Sequence, residues 1–382
     1  MTRPDGLITP AGWGRDGALP PAAAAIHDAV TGDDGARTGL DLVILVDGLG
    51  AQLLEQHRAH TPTLRRLAPH TDTVLTTAPS TTAAVLASML TGLSPLQHGV
   101  LGYTVFAGAP GTDGGDRAIS QLTGAPGILP ERWMPLKNLG QAAKRSGRYA
   151  GQVGPARYRR SFLTEVMQRG WEFIELKGSG QRLAAVKRAL RRAHGNGVVY
   201  VHLAEVDKAG HNDGPGSPRW LQALEDADQA IGALLRAAGD DVRVTITADH
   251  GMVPANRSQV LDLAEIDGVG PAVRAVAGEP RALTLRLHGD QDPDVVAARL
   301  QDRVAERGWV MTREELLTCG LLGPASTAAP HALERLGDLQ VWANGATLLT
   351  HSGFVSSAVL DQRGVHGSLS SAELEIPLIR LG

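Results

Sequence analysis

Apolar and polar positions follow two patterns along this chain. The segment LDLVILV at 40–46 is almost continuously apolar, which is typical of a strand buried on both faces of a parallel sheet. GVVYVHLAEVD and VRVTITAD have the same character, and we predict that the three strands end at Asp47, Asp207 and Asp249. TTAAVLASMLTG and residues 218–238 have helical spacing instead. This alternation predicts an α/β fold with a central, mostly parallel sheet flanked by helices.

Changes in this pattern divide the chain into three parts. Residues 1–39 are rich in Gly, Pro, Ala and Asp and predict an irregular arm with one isolated helix, PPAAAAIHDAV. Residues 40–253 and 361–382 form the predicted α/β core. Residues 254–360 interrupt it and predict a smaller α+β subdomain, with RALTLRL as a strand, WVMT as a turn, and DPDVVAARLQDRVAE and REELLTC as helices. We expect this inserted subdomain to cover a site on the core.

Composition narrows the class of protein. The 382 residues are 43% hydrophobic, which is enough for a full core, and no apolar run reaches the length of about 18 residues that a membrane span needs. A net charge of -3 provides no general attraction for a nucleic acid polymer or an anionic membrane. The single cysteine, Cys319, excludes an internal disulfide, and the N-terminus has no apolar signal stretch. We therefore expect a cytoplasmic location. Composition does not predict the oligomeric state.

Six side chains of the metal-ligand type and one hydroxyl lie where predicted strands end or a predicted helix begins. They are Asp47, Thr82, Asp207, His211, Asp249, His250 and His366. Because ligands bind at the carboxyl edge of open α/β sheets, we expect these side chains to converge there. Three carboxylates and three imidazoles can hold two cations, and a neighbouring hydroxyl can act as a nucleophile. The combination predicts phosphoryl transfer.

Each of these residues has an ordinary structural alternative when it is taken alone. Asp207 and His211 are four positions apart and share a face on a helix, but a helix-capping Asp followed by a surface His gives the same spacing. Asp47 and Asp249 could be turn or capping residues, and His366 could be a loop residue. Seven such coincidences in one chain are far less expected by chance than any one of them.

The hydroxyl group needs a separate argument. Thr82 stands at the start of the helix TTAAVLASML, where free N–H groups and the helix dipole favour a phosphoryl oxygen. Ser80, Thr81 and Thr82 could instead supply only a helix cap, and either Ser80 or Thr81 could be the reactive group. Spacing does not separate the three. His98 and His202 are interpreted as structural.

A resemblance to a known family rests on the order of short motifs. DG, PSTT with the following TGLSPLQHG, DKAGH, ADHG and GVHGS occur in the order in which they occur in the nucleotide pyrophosphatase and phosphodiesterase branch of the alkaline phosphatase superfamily. The chain resembles that branch over residues 40–103, 198–253 and 361–381. The family nucleophile lies three positions after a proline and nine before a Thr-Gly pair, which maps it to Thr82.

The resemblance also implies a ligand set and a mechanism. One metal ion would be held by Asp207, His211 and His366, and the other by Asp47, Asp249, His250 and the oxygen of Thr82. Thr82 would attack phosphorus to give a phosphothreonine, which water then hydrolyses. The mixture of carboxylates and imidazoles suits two divalent ions, zinc above all, with manganese or iron as alternatives.

The chain departs from the family pattern directly after the nucleophile. Many members carry Phe-Pro-Asn there, and the Asn helps to hold a phosphoryl oxygen, whereas this chain has Ala83, Ala84 and Val85. There is also no evident arginine beside Thr82 for the second charge of a monoester, so we expect a phosphodiester or pyrophosphate substrate, such as a nucleotide. Candidate substrate contacts are Tyr103, Lys208 and Arg157.

Several rival functions use the same scaffold. A sulfatase would need a Cys-or-Ser-x-Pro-x-Arg run around the nucleophile, and PSTTAAV lacks it. A phosphomonoesterase or a phosphonate hydrolase would share the threonine and both metal sites. A metal-dependent binding protein without catalysis is the alternative from a different class, and the intact ligand set argues against it, because unpaired buried charges are costly to keep.

Overall fold

A computed structural model describes residues 5–8, 20–31 and 38–382 of the protein. The strands are β1 Leu40–Val46, β2 Thr71–Leu75, β3 Thr104–Phe106, β4 Ala118–Ser120, β5 Tyr149–Pro155, β6 Glu172–Leu176, β7 Gly197–Leu203, β8 Val242–Thr247, β9 Val253–Pro254, β10 Val260–Asp262, β11 Val273–Glu279, β12 Ala282–Leu287, β13 Gly308–Thr312, β14 Leu339–Ala343, β15 Leu348–Thr350, β16 Gly364–Val365 and β17 Glu375–Leu381.

Helices alternate with these strands. They are α1 Pro21–Thr31, α2 Ala51–Gln56, α3 Pro62–Arg66, α4 Thr82–Thr91, α5 Pro95–His98, α6 Pro130–Trp133, α7 Leu139–Arg145, α8 Phe162–Met167, α9 Arg182–Arg192, α10 Glu205–Asp213, α11 Pro218–Ala238, α12 Pro293–Val304, α13 Arg313–Cys319, α14 Pro330–Arg335 and α15 Ser371–Leu374. Within the described ranges, none of these helices has both the length and the apolar character that crossing a membrane requires.

The central sheet has seven strands in the order β2-β17-β8-β1-β7-β5-β6. Strands β1, β5, β6, β7 and β8 are parallel, and β17 runs antiparallel to both of its neighbours. Six of the seven residues of β1 are buried, because the strand lies between β7 and β8 and both faces are covered by helices. The predicted α/β fold with a central, mostly parallel sheet is confirmed.

The N-terminal helix packs into the core. The apolar side of α1, which includes Ile26 and Val30, is buried in the same hydrophobic cluster as strands β1 and β7. Arg148 donates a hydrogen bond to the carbonyl oxygen of Val30 at 3.1 Å. The helix was predicted, but its close packing was not; much of the remaining predicted arm lies outside the described residues.

The segment after β9 forms a second sheet with its own core. Strands β11, β12, β14 and β13 are antiparallel in that order, and α12 packs on them through Val296 and Leu300. The helix REELLTC is α13, as predicted. The prediction of a turn at WVMT was wrong, because these residues belong to β13 and pair with β14. Their apolar side chains are buried although β13 is the edge strand of this sheet, so the run is a short, continuously apolar strand.

One strand end was also placed wrongly. Strand β7 stops at Leu203, and α10 begins at Glu205, so Asp207 lies in the first turn of a helix instead of at the end of the strand. The apolar pattern alone could not show this, because Ala204 and Val206 extend the run past the true end of β7. The spacing of Asp207 and His211 is helical, as expected from their four-residue separation.

Candidate active site

The carboxyl ends of three neighbouring strands bring the predicted ligands together. Asp47 follows β1 directly, and Asp249 lies two positions after β8. Strand β7, on the other side of β1, leads into α10. Gly48 has φ +73°, and a Cβ atom there would lie 3.0 Å from Cβ of Asp207, so glycine lets the turn after β1 approach α10 closely.

The first set of ligand-type residues, which we call the Asp207 group, consists of Asp207, His211 and His366. Oδ1 of Asp207 lies 3.3 Å from Nε2 of His211 and 3.8 Å from Nε2 of His366. The two Nε2 atoms are 3.3 Å apart. His366 reaches this position from the loop after β16, although the inserted segment separates it from the other two in sequence.

The second set, the Asp47 group, consists of Asp47, Asp249, His250 and Thr82. Nε2 of His250 lies 3.6 Å from Oδ1 of Asp47 and 3.5 Å from Oδ2 of Asp249. The hydroxyl of Thr82 lies 3.1 Å from the same nitrogen. His250 also stacks on His366, with ring centroids 3.6 Å apart, so the Asp47 group and the Asp207 group are in direct contact.

Backbone carbonyl groups fix the orientation of all three imidazoles. Nδ1 of His211 donates to the carbonyl oxygen of Gly364 at 2.8 Å, Nδ1 of His250 to that of Gly251 at 2.9 Å, and Nδ1 of His366 to that of Ser80 at 2.9 Å. A carbonyl oxygen can only accept, so in each neutral ring Nε2 keeps its lone pair. Metal-binding histidines are oriented in this way.

The carboxylates have the complementary property. Oδ1 of Asp47, Oδ1 of Asp207 and Oδ2 of Asp249 are buried, and none has a hydrogen-bond partner among the described residues. Buried polar atoms are nearly always satisfied, so three unsatisfied carboxylate oxygens beside three imidazole nitrogens that keep their lone pairs are the arrangement expected of a cation site. The residues therefore fit divalent cations. Two trios of these residues have ligand atoms within 4.8 Å of one another. One trio is Asp207, His250 and His366, and the other is Asp47, Asp249 and His250, so His250 belongs to both.

Electrostatics supports the same interpretation. Burial, together with the neighbouring carboxylates of Asp249 and Asp207, raises the pKa of Asp47 well above its usual value. Burial also raises the pKa of Asp207. Burial and the nearby rings of His250 and His211 hold the pKa of His366 well below its usual value. Without a cation the cluster favours neutral forms, and a bound cation would stabilise the ionised carboxylates.

Three hydroxyl groups were candidates for the nucleophile, and their surroundings differ. Ser80 is fully buried and donates to the carbonyl oxygen of Ser368 at 2.7 Å. Thr81 is buried at the N-cap of α4. Thr82, the first residue of α4, is partly exposed and contacts His250. Of the three hydroxyls, that of Thr82 is the one recorded in contact with one of the carboxylates or imidazoles of the cluster.

One functional contact was missed from the sequence. His202, which was interpreted as structural, donates through Nε2 to Oδ2 of Asp47 at 2.7 Å. Its Nδ1 accepts from the hydroxyl of Tyr200 at 3.3 Å. These two hydrogen bonds hold Oδ2 of Asp47 and leave its Oδ1 available to the cluster. The position of His202 near the end of β7, paired with Leu45 of β1, was the available signal.

The predicted substrate contacts lie outside the cluster. Lys208 and Arg157 are exposed, and the structure records no hydrogen bond or ion pair from either of them to the seven cluster residues. Tyr103 is 37% exposed, at the loop before β3. Val85, in the position where many family members have Asn, is fully buried in the core cluster. The two preceding residues, Ala83 and Ala84, are also buried and apolar.

The comparison with protein families agrees with the geometry. The family model described as type I phosphodiesterase / nucleotide pyrophosphatase matches residues 42–368. The chain belongs to this family. The matched range includes all seven cluster residues and spans the inserted segment. The family supports phosphoester hydrolysis as the general activity.

Solved structures of the same fold come from distant relatives. Mouse ectonucleotide pyrophosphatase / phosphodiesterase 5 is 18% identical, with a TM-score of 0.69 over 91% of this chain and 88% of that one. Phosphonoacetate hydrolase from Sinorhizobium meliloti 1021, in complex with phosphonoacetate, is 20% identical, with a TM-score of 0.66 over 91% and 92% of the two chains. At these identities the likeness shows the fold alone.

A curated relative matches a shorter part of the chain. Phosphopentomutase from Anaeromyxobacter sp. (strain K) is 34% identical over 88 residues, which are 23% of this chain. The match spans 22% of the length of that relative. It therefore adds a local similarity and does not change the assignment to the family.

Proposed function

We propose that the protein hydrolyses phosphodiester or pyrophosphate bonds of small substrates, such as nucleotides, through a phosphothreonine formed on Thr82. The observation that carries the proposal is the contact of 3.1 Å between the hydroxyl of Thr82 and Nε2 of His250, within a cluster of three unsatisfied carboxylate oxygens. Since Nδ1 of His250 donates to Gly251, its Nε2 accepts the hydrogen bond from the hydroxyl in this structure. Thr82 is thus oriented toward the cluster.

The start of α4 supports the binding of a phosphoryl group. This ten-residue helix begins without a side-chain hydrogen bond at its N-cap, Thr81. Its first N–H groups can therefore bind an anionic oxygen, which the positive end of the helix dipole also favours. These backbone groups would take over the role of the Asn that the family often has where this chain has Val85.

The metal ions would be held by the Asp207 group and the Asp47 group, with zinc as the first choice and manganese or iron as alternatives. When bound, they would neutralise the phosphoryl charge and lower the pKa of hydroxyl groups. The two displacement steps take place at Thr82. The oxygen of Thr82 bonds to phosphorus as the bond to the leaving oxygen breaks, and the leaving oxygen gains the proton that Thr82 loses. Water then cleaves the phosphothreonine, which releases the phosphorylated product and returns a proton to the oxygen of Thr82.

The decisive variant is Thr82→Ala. We expect turnover to fall by about 10³-fold or more, because the covalent route is lost, while metal content stays near two ions per chain. Rates on bis-p-nitrophenyl phosphate and metal analysis by atomic emission check both parts. Thr123→Ala, an exposed threonine outside the cluster, is the control and should keep full activity. An active Thr82→Ala enzyme would refute the covalent role of this residue.

A substrate comparison separates the alternatives. Phosphonate hydrolysis is the second candidate, favoured by the fold shared with the phosphonoacetate hydrolase. Parallel rates on bis-p-nitrophenyl phosphate, p-nitrophenyl phosphate and a phosphonate monoester should be highest for the diester. A preference for p-nitrophenyl phosphate would indicate a phosphomonoesterase. No hydrolysis by the metal-loaded protein would favour a binding protein without catalysis.

A further inference from the structure

The hairpin of β11 and β12 ends in a buried arginine that the active-site cluster does not include. Glu279 pairs with Ala282, so Pro280 and Arg281 form the turn. Arg281 is fully buried. Its Nε and Nη2 donate to the two oxygens of Glu373 at 3.0 and 2.8 Å, and its Nη1 donates to the carbonyl oxygens of Gly345 and Thr347. The inserted segment is thus tied to the C-terminal part of the core.

Glu373 in turn forms hydrogen bonds with the two loops that carry His250 and His366. Its carboxylate accepts the N–H of Ser368 at 3.0 Å and the hydroxyl of Ser370 at 2.5 Å. Its backbone carbonyl accepts the N–H of Gly251 at 2.9 Å. Ser368 lies two positions after His366, and Gly251 directly follows His250. One buried residue therefore contacts both loops, the loop of His366 through its carboxylate and the loop of His250 through its backbone carbonyl.

A short chain of hydrogen bonds completes the path to His366. The carbonyl oxygen of Ser368 accepts the hydroxyl of Ser80 at 2.7 Å. The carbonyl oxygen of Ser80 accepts Nδ1 of His366 at 2.9 Å, which fixes the direction of the ring. The orientation of His366 thus depends on a set of bonds that begins at Arg281.

We propose that the Arg281–Glu373 pair is a positioning device for the metal site: the inserted segment holds His250 and His366 in the orientation in which their Nε2 atoms face the cluster. The inference rests on the proposed function in that it assumes metal binding at this cluster. Both side chains of the pair are 0% exposed and joined by two bonds, a planar geometry that lysine cannot reproduce. Groups that orient metal ligands typically change metal affinity or activity by about 10–100-fold when they are replaced.

The same hairpin provides a matched control. Arg286 of β12 is also fully buried, pairs with Asp116 at 2.8 Å, and donates to several carbonyl oxygens, among them those of Gly108 and Glu334. None of these partners lies in the loops of His250 or His366. Arg281→Lys and Arg286→Lys therefore remove a similar amount of buried hydrogen bonding, but only the first disturbs the path to the cluster.

The test measures zinc affinity of the purified full chain by competition with a chromophoric chelator, alongside melting temperature after metal removal. We expect Arg281→Lys to bind zinc about 10–100-fold more weakly than the wild type. Arg286→Lys should lower the melting temperature but keep the zinc affinity. Ser80→Ala is a second variant, which removes the hydroxyl bonded to Ser368 and to the N–H of Gly367. It keeps the backbone carbonyl that orients His366 but releases it from the loop, leaves no buried charge, and should also weaken zinc binding.

The outcomes separate this inference from the proposed function. Zinc affinity that is unchanged in both Arg281→Lys and Ser80→Ala overturns the positioning role. If Arg281→Lys does not fold, Ser80→Ala decides alone. A wild-type protein that binds zinc but hydrolyses no ester overturns the proposed function, and the affinities still decide the inference. A wild-type protein that binds no divalent metal overturns both.

Discussion

At the scale of single residues, Glu279 is a buried carboxyl group near the site that lowers the stability of the fold. It ends β11, is 9% exposed, and lies beside the hydroxyl of Thr81 and the backbone N–H of Tyr103. Burial raises the pKa of this carboxyl group to about 8, although both neighbours favour the ionised form. A buried acid beside Thr81 lowers stability, and proteins tend to keep such destabilising groups near functional sites.

We predict that Glu279→Gln changes the pH dependence of stability. The folded pKa of about 8 lies above the ordinary value of 4.5, so between these pH values the folded chain keeps a proton that the unfolded chain has lost. Stability from this group is therefore present at low pH and is lost as the pH rises toward 8. Glutamine does not titrate, so the melting temperature of the variant should gain on that of the wild type between pH 5 and pH 8.

The size of this gain has an upper bound of about 1.4 kcal/mol per unit of pKa difference, which allows a few kcal/mol in total. Glu306→Gln, an exposed residue of the same inserted segment, is the control and should show no such trend. A difference between Glu279→Gln and wild type that stays constant from pH 5 to pH 8 would contradict the raised pKa.

The residues of the cluster could be named from the sequence, but their supports could not. Asp47, Asp249 and His366 stand in short Gly-flanked motifs, and the chemistry of carboxylates and imidazoles gives such motifs meaning. His202 and Arg281 stand in ordinary strand and turn sequences. Their importance comes from contacts between distant parts of the chain, which no local pattern encodes.

At the scale of secondary-structure elements, close approach of backbones determines how the strand ends meet. Gly50 follows β1 and Gly251 follows β8, and a Cβ atom on Gly251 would lie 3.0 Å from Cα of Gly50. The same Cβ would overlap the carbonyl oxygen of Ala372, in α15. The N–H of Gly251 also donates to Glu373. Three elements thus meet where a side chain has no room.

We predict that Gly251→Ala lowers both the melting temperature and the zinc affinity. The added methyl group must push the loop of His250 away from α15, because the atoms it meets belong to backbone that cannot rotate aside. The expected loss of stability is about 1–3 kcal/mol. Gly289→Ala is the matched control, since a Cβ there meets no atom within 4 Å. Wild-type zinc affinity in Gly251→Ala would show that the loop tolerates displacement.

Periodicity predicted the elements better than it predicted their ends. The helices at 218–238 and 313–319 have the predicted bounds, since a proline, a capping residue or a glycine marks each end. The end of β7 was missed because apolar residues continue from the strand into α10. β13 was missed because four residues are too few to show a period.

At the scale of the whole molecule, the path of the chain explains why the site depends on the complete fold. Asp47 and His366 are separated by 319 positions, and the inserted segment lies between Asp249 and His366. The second sheet has its own hydrophobic cluster, and a third cluster joins it to the central core through Trp342 and Leu374. We propose 254–360 as the boundaries of the inserted subdomain. The buried ion pair of Arg281 and Glu373 joins this subdomain to the core.

The same three-dimensional dependence predicts that metal removal destabilises the whole protein in a pH-dependent way. In the metal-free chain, the raised pKa values of Asp47 and Asp207 mean that folding favours their protonated forms. Stability is then lost as the pH rises through the folded pKa values, because the ionised carboxylates repel each other in a buried site. Bound cations reverse this by stabilising the ionised forms, so they should stabilise most at higher pH.

We therefore expect the difference in melting temperature between zinc-loaded and chelator-treated protein to widen from pH 5.5 to pH 8. At zinc concentrations of about 100 times the dissociation constant, binding to the folded state contributes about 2.7 kcal/mol per site. Asp47→Asn should raise the stability of the metal-free form at pH 8, because a buried charge is removed, and should reduce the response to zinc. A response that is equal at both pH values, or unchanged in Asp47→Asn, would place the metal away from this cluster.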